Sequence, residues 1–243
     1  MRSDPLLSLR EVSKSFGGLK AVQGVSFDLH AGEITSLVGP NGSGKTTLFN
    51  CINGIYIHDG GKICFNGEEI GHLSPARRCQ IGISRTFQVV RPFLKMTCLE
   101  NLLVARYFGH RGGARGATED CLKILELVGL REKARHPASG LRLAERKRLE
   151  IARALASDPK LLLLDEVAAG LHPVEVQDMV SLLRQMHERG ITLLVVEHVM
   201  SLVMTISKRV IVLNEGRKIA EGPPESVSCD SKVIEVYLGT SQD

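Results

Sequence analysis

The chain has 243 residues, 43% of them hydrophobic and 24% charged, which suits one large α/β domain with a small insert. A formal net charge of +4, no Trp and 4% aromatic residues argue against a nucleic-acid binder, which needs a concentrated basic face or stacking platforms. Six scattered cysteines without C-x-x-C pairs fit reduced thiols better than a disulfide frame or a zinc site, and the eight histidines show no metal-ligand spacing. The first five residues carry no apolar core of a signal peptide, and the longest apolar runs, 161–164 and 191–196, are far too short to span a bilayer. A membrane role is therefore expected to come through a partner.

In chain order, 7–12, 25–29 and 34–38 read as strands, and 46–53 as a helix with Gly54 at its C-terminal cap. Residues 62–65 and 68–70 form a hairpin around Asn66-Gly67, the strongest short turn signal. Ser74-Pro75 opens a short helix, and 83–87 is a further strand. From Gln88 to about residue 158 the pattern is helical. Thr97 and Glu100 make a capping box for a helix to about Tyr107, 109–116 is a flexible basic loop, and Thr118 caps a helix ending near Gly129. A long helix covers about 143–157. The βα alternation then returns: a strand at 161–164, a helix at 173–189, a strand at 191–196, a hairpin of 209–213 and 217–220, and two short helices ending near Leu238. The strand at 161–164 has no polar position, so both of its faces are expected to be buried.

Residues Gly39-Pro40-Asn41-Gly42-Ser43-Gly44-Lys45-Thr46-Thr47 fit G-x-x-x-x-G-K-[ST], between a strand and a helix. A glycine-rich turn there aims backbone N–H groups and the positive helix end at one spot, so the motif predicts a bound nucleoside triphosphate. Lys45 is expected on the β- and γ-phosphates and the Thr46 hydroxyl on Mg²⁺. The second element is Leu161-Leu162-Leu163-Leu164-Asp165-Glu166, four apolar residues that deliver two carboxylates to a strand's C-terminal end. Asp165 is expected to hold Mg²⁺, and Glu166 to orient or deprotonate an attacking water.

With these motifs in place the chain resembles the ATPase subunits of ABC transporters over nearly its whole length. That resemblance implies a P-loop NTPase core with an antiparallel β subdomain and an inserted α-helical subdomain. It divides a single ABC ATPase domain into a catalytic core of about 1–88 and 159–243 and a helical subdomain of about 89–158. It also implies ATP and Mg²⁺ as cofactors. Phe16, in Lys14-Ser15-Phe16-Gly17, matches the aromatic that stacks on adenine; Gln88, after Arg85-Thr86-Phe87, matches the glutamine that senses Mg²⁺ and the attacking water. His198, in Val195-Val196-Glu197-His198, matches the histidine that contacts the γ-phosphate, and residues 169–172 match the loop that crosses the dimer interface.

The signature pentapeptide, usually LSGGQ, falls on Leu141-Arg142-Leu143-Ala144-Glu145. Arg142 stands for the serine that meets the partner's γ-phosphate, and Ala144 for a glycine. Two readings stay open: Arg142 supplies charge as an arginine finger does, or the signature no longer stimulates hydrolysis. Val167 and His172 are further departures, standing where the family usually has Pro and where it has Asn or Asp.

Within the family, 16–22, Arg85-Thr86-Phe87-Gln88, Glu100-Asn101-Leu102, 149–154, 213–222 and Tyr237-Leu238-Gly239 are similar to the branched-chain amino acid import group. Urea and short-chain amide importers and a lipopolysaccharide-export ATPase share much of this. The implied partners are a second ATPase subunit, either a second copy of this chain or an unlike one, two membrane-spanning permease subunits and, indirectly, an external binding protein. The implied location is the cytoplasmic face of the membrane, held peripherally by the permeases. Val89, Val90, Pro92, Phe93 and Leu94 read as an apolar surface segment where a permease helix docks. A soluble ABC ATPase acting on ribosomes or DNA is the competing class, disfavoured by one P-loop and no sustained heptads. A non-hydrolysing regulatory subunit is the third; Glu166 weighs against it and the altered signature at Arg142 and Ala144 weighs for it.

Overall fold

A computed structural model describes residues 4–86, 92–109 and 115–238. Its larger sheet has six strands. In spatial order they are β10 (Arg217–Gly222), β9 (Arg209–Asn214), β3 (Ile34–Val38), β8 (Thr192–Val196), β7 (Leu161–Asp165) and β6 (Ile83–Arg85). The strands from β9 to β6 run parallel, and β10 closes the edge antiparallel to β9. A second, antiparallel sheet has the order β2 (Leu19–Leu29), β1 (Leu7–Phe16), β4 (Gly60–Phe65) and β5 (Glu68–Glu69).

The run of four leucines in β7 shows why an all-apolar strand must be central. Side chains alternate in direction along a strand, so Leu161 and Leu163 enter one core while Leu162 and Leu164 enter another. β8 divides its residues in the same way, with Leu194 and Val196 on the first side and Leu193 and Val195 on the second. The first core lies between the two sheets and takes in Leu48, Phe49 and Ile52 of α1 (Lys45–Asn53). The second is built with α3 (Cys98–Phe108), α4 (Ala117–Leu127), α5 (Leu143–Ala156) and α6 (Pro173–Glu188). Each of these fully buried aliphatic side chains contributes about 2 kcal/mol of burial.

Several expectations shift. β1 and β2 run to Phe16 and start at Leu19, well beyond the predicted 7–12 and 25–29. Their ladder continues as a solvent-facing ribbon with register irregularities at Leu9/Val12, Val12/Lys14 and Lys14/Ser15, where apolar alternation fades. The capping box at Thr97 and Glu100 forms as predicted. The next helix, however, is capped by Gly116 and not by Thr118: it starts at Ala117, which is buried, and Glu119 and Asp120 in its first turn complement the helix dipole. Helix α7 (Met200–Ile206) was not foreseen. Seven residues, several of them β-branched, carry little helix signal of their own, and packing of Leu202, Val203 and Ile206 holds it. Between α1 and β6, α2 (Pro75–Gln80) is capped by Ser74, and the chain closes with α8 (Pro224–Ser228) and α9 (Ser231–Leu238). Strand β6 ends at Arg85; Phe87, Gln88, Val89, Val90 and most of the predicted basic loop lie outside the described residues. Pro92, expected at the surface, is buried, while Phe93 and Leu94 beside it are exposed.

Candidate active site

The cleft at the C-terminal ends of the parallel strands begins where β3 gives way to α1. Two glycines make this turn possible. Gly39 has φ 151°, and a Cβ there would lie 2.1 Å from the Leu213 carbonyl oxygen. Gly44 has φ 100°, and its Cβ would lie 2.3 Å from the Ala21 carbonyl oxygen. Any side chain at either position would push the loop away from the strands that support it. Gly44 caps α1 without a side chain, so the positive end of the helix opens at the cleft wall.

Lys45 is almost fully buried and folds back onto the loop. Its Nζ donates to the carbonyl oxygens of Gly39 and Pro40, each at 2.8 Å, and to Ser43 Oγ at 3.4 Å. Burial pulls the ammonium below the usual lysine range, opposed by the negative charge of Glu166 and Asp165. Gly39 and Pro40 thus serve as acceptors behind the loop. Asn41, Gly42, Ser43, Gly44, Lys45, Thr46 and Thr47 line a cleft of about 800 Å³.

Opposite these residues the same cleft is lined by Glu166 and His198. The Nε2 of His198 lies 3.2 Å from Oε1 of Glu166. Glu166 occupies the left-handed region at φ 49°, an unusual state for a side chain larger than Gly or Asn. Its backbone is held from two sides: its N–H donates to the Val196 carbonyl at 2.9 Å, and its carbonyl accepts from Nζ of Lys147 on α5 at 2.8 Å. The adjoining turn is held by the buried carboxyl of Glu197, which accepts from the Ala168 N–H at 2.7 Å and is pushed above the usual range by burial. Phe16 stands at the rim of the cleft, half exposed, with its ring edge-on to Tyr56 at 5.1 Å and the Lys14 ammonium 5.5 Å from its centroid.

Asp165 is set back from the cleft surface. It is buried, and its Oδ2 accepts from the Arg85 guanidinium at 2.7 Å. Its Oδ1 is buried with no hydrogen-bond partner among the described residues. An orphaned carboxylate oxygen beside a phosphate-type loop suits a hard divalent cation, which takes oxygen ligands. Gln88 lies outside the described residues.

Arg142, Ala144 and Glu145 lie at the start of α5 and do not line this cleft. Arg142 is exposed, and its own N–H donates to the Glu145 carboxylate at 3.0 Å. Glu145 also pairs with Lys133 at 2.5 Å, which holds its carboxyl below the usual range. Arg85, Lys147, Glu197 and the fully buried Arg78 were not foreseen. Of these, Glu197 carried a signal: it directly follows the apolar run 191–196, and a charge there cannot be buried without a partner.

Residues 22–169 match the ABC transporter family model, and residues 217–243 match the model of the branched-chain amino acid ATP-binding cassette transporter. The chain is 41% identical to the high-affinity branched-chain amino acid transport ATP-binding protein BraF of Pseudomonas aeruginosa, covering 98% of this chain and 99% of the relative. It has the same identity and coverage with the high-affinity branched-chain amino acid transport ATP-binding protein LivG of Escherichia coli K12. Among solved structures, an ATP-binding cassette of an ABC transporter in its ADP conformation superposes with a TM-score of 0.90 at 34% identity. It covers 98% of this chain and all of that one. A dimeric post-hydrolysis cassette bound to ADP and Pi is similar with a TM-score of 0.78 at 28% identity, covering 90% of this chain and 98% of that chain.

Proposed function

Since the chain belongs to the ABC transporter ATPase family, we propose that it is the ATP-hydrolysing subunit of an importer for branched-chain amino acids. The observation that carries hydrolysis is the Glu166–His198 pair facing the P-loop residues across one cleft. The names of the relatives, together with the match of residues 217–243, support the substrate class.

In this reading Phe16 takes the adenine, residues 39–47 wrap the phosphates, and Lys45 exchanges loop carbonyls for phosphate oxygens. Thr46, Asp165 through its orphaned Oδ1, and Gln88 by its place in the sequence would hold Mg²⁺. The cation, when bound, neutralises phosphate charge as the γ-phosphoryl departs. Glu166 accepts the proton of the attacking water, and His198 holds that carboxylate toward the γ-phosphate. A positioned general base contributes about 10²–10⁴-fold in rate.

The signature at Arg142, Ala144 and Glu145 does not line the chain's own cleft, which supports a head-to-tail pair in which each nucleotide lies between two subunits. We take the partner to be an unlike ATPase subunit. The core of about 1–88 and 159–243 then carries nucleotide chemistry, and the helical part of about 89–158 carries the signature. Exposed Phe93 and Leu94 lie near a groove of about 360 Å³ between α2, β6, α3 and α5. Arg153, which lines the groove, sits 5.1 Å from the Phe93 ring. A short cytoplasmic helix of a permease subunit docks there, holding the chain at the inner membrane face; among the described residues no helix is long and apolar enough to cross a membrane.

Reconstitution with the permease subunits, the second ATPase and the binding protein in vesicles tests this reading. It requires ATP-driven uptake of leucine, isoleucine or valine. Uptake of urea or short-chain amides, with no branched-chain uptake, would replace the substrate class while leaving the ATPase assignment standing.

A further inference from the structure

Arg85 closes β6, and only 4% of its side chain is exposed. A guanidinium so buried is tolerated only with partners on several sides. Its Nη2 donates to Asp165 Oδ2 at 2.7 Å, its Nη1 donates to the side-chain oxygen of Asn50 on α1, and its plane lies 5.5 Å from the Phe49 ring centroid. The next residue adds a further tie, since the Asp165 N–H donates to Thr86 Oγ1 at 3.2 Å. Asn50 lies four residues after Thr46 in α1, so the two share one face of that helix. Arg85 therefore bridges the strand end that carries Asp165 and the helix face that carries Thr46. With Oδ2 engaged, the oxygen left without a partner among the described residues is Oδ1.

We propose that Arg85 is a positioning residue that clamps Asp165 to the P-loop helix and presents Oδ1 of Asp165 to the nucleotide-bound divalent cation. This rests on the reading in which Asp165 and Thr46 hold that cation. Arg85 itself does not line the nucleotide cleft. Its loss should therefore spare nucleotide contacts and weaken the metal. A second effect follows from charge. The Arg85–Asp165 pair is close to neutral, so the phosphates supply most of the attraction for a cation, which binds as a nucleotide complex.

The test uses the purified full-length chain with ADP and Mn²⁺, so no turnover enters the readout. ADP affinity is measured calorimetrically in EDTA, and Mn²⁺ affinity of the ADP complex by electron paramagnetic resonance. Arg85→Gln should keep ADP affinity in EDTA within about twofold and weaken Mn²⁺ about tenfold, as loss of an outer partner of a metal ligand does. Asn50→Ala, which frees only the helix end of the clamp, should weaken Mn²⁺ about threefold, the scale of one hydrogen bond. Asp165→Asn should lose most Mn²⁺ affinity. Wild-type or tighter Mn²⁺ binding in Arg85→Gln overturns the proposal, tighter binding marking Arg85 as a competing counter-charge. If Arg85→Gln does not fold, wild-type Mn²⁺ affinity in Asn50→Ala overturns it instead. Undiminished Mn²⁺ binding in Asp165→Asn sinks both the clamp and the cation assignment beneath it, whereas loss there with no effect at Arg85 or Asn50 sinks the clamp alone.

Discussion

The imidazole of His198 and the carboxylate of Glu166 meet at 3.2 Å, although one follows β8 and the other follows β7. The two strands are hydrogen-bonded neighbours in register, Leu164 opposite Val195 and Asp165 opposite Val196, so their C-terminal ends open side by side. The parallel sheet thus assembles a pair of residues that are thirty-two positions apart in the chain.

The P-loop helix depends on a cation that the cleft never exposes. Arg78 is fully buried and donates to the carbonyl oxygens of Cys51 (2.5 Å), Ile52 (2.7 Å), Gly71 (3.1 Å) and Leu73 (3.1 Å), which ties the C-terminal end of α1 to α2 and the turn before it. Burial pulls its guanidinium down to about 10, so it remains charged at neutral pH. Arg78→Met should cost about 3 kcal/mol, because it strands buried carbonyls. Thermal unfolding should show it as a fall of about 10 °C in Tm. A change below 2 °C would mean the carbonyls find other partners.

At the proposed docking surface, the backbone of Phe93 is held by hydrogen bonds while its side chain stays half exposed. The Phe93 N–H donates to Asn101 Oδ1 at 2.8 Å, the Phe93 carbonyl accepts from Asn101 Nδ2 at 3.1 Å, and the side chain is half exposed. Phe93→Asp should therefore fold normally by circular dichroism and retain its own ATP turnover. In the assembled transporter it should lose stimulation of that turnover by the permeases. Full stimulation would move the docking surface elsewhere.

The signature makes a two-way prediction. If the partner ATPase carries a serine signature, this chain's Lys45, Asp165 and Glu166 face normal chemistry and hydrolyse ATP, while the partner's P-loop faces Arg142 and Ala144. Arg142→Ser with Ala144→Gly is measured in the heterodimer, with each catalytic glutamate silenced in turn. An Arg142 that acts on phosphate makes the swap neutral or harmful and makes Arg142→Ala slow. A degenerate signature tolerates Arg142→Ala and gains rate on restoration. Equal rates at the two wild-type sites would contradict the asymmetry.

How much of this was legible in the sequence follows a physical division. β3, β7 and the start of α1 were readable because their signals are local: an unbroken apolar run, a glycine turn with a lysine, and carboxylates at a strand end. The extension of β1 and β2 was not, since pairing between the strands holds it where side-chain alternation is weak. Arg85, Lys147 and Arg78 escaped for a related reason. Each is an ordinary basic residue in one dimension, and becomes meaningful only when the fold buries it against Asp165, the Glu166 carbonyl or the end of α1. The cap at Gly116 was misread because Thr118 has the right chemistry two residues too late.

The central claim is that Glu166 is the base of an ATP hydrolase built on this cleft, and Glu166→Gln tests it most directly. ATP affinity and steady-state phosphate release are measured on the same preparation, with Lys45→Ala as the variant that should lose binding because it strips charge from the phosphates. Glu166→Gln keeps the shape of the side chain and removes its basicity. Affinity should stay within about twofold while turnover falls about 10²–10⁴-fold. Turnover at the wild-type rate, with ATP still bound, would contradict the assignment.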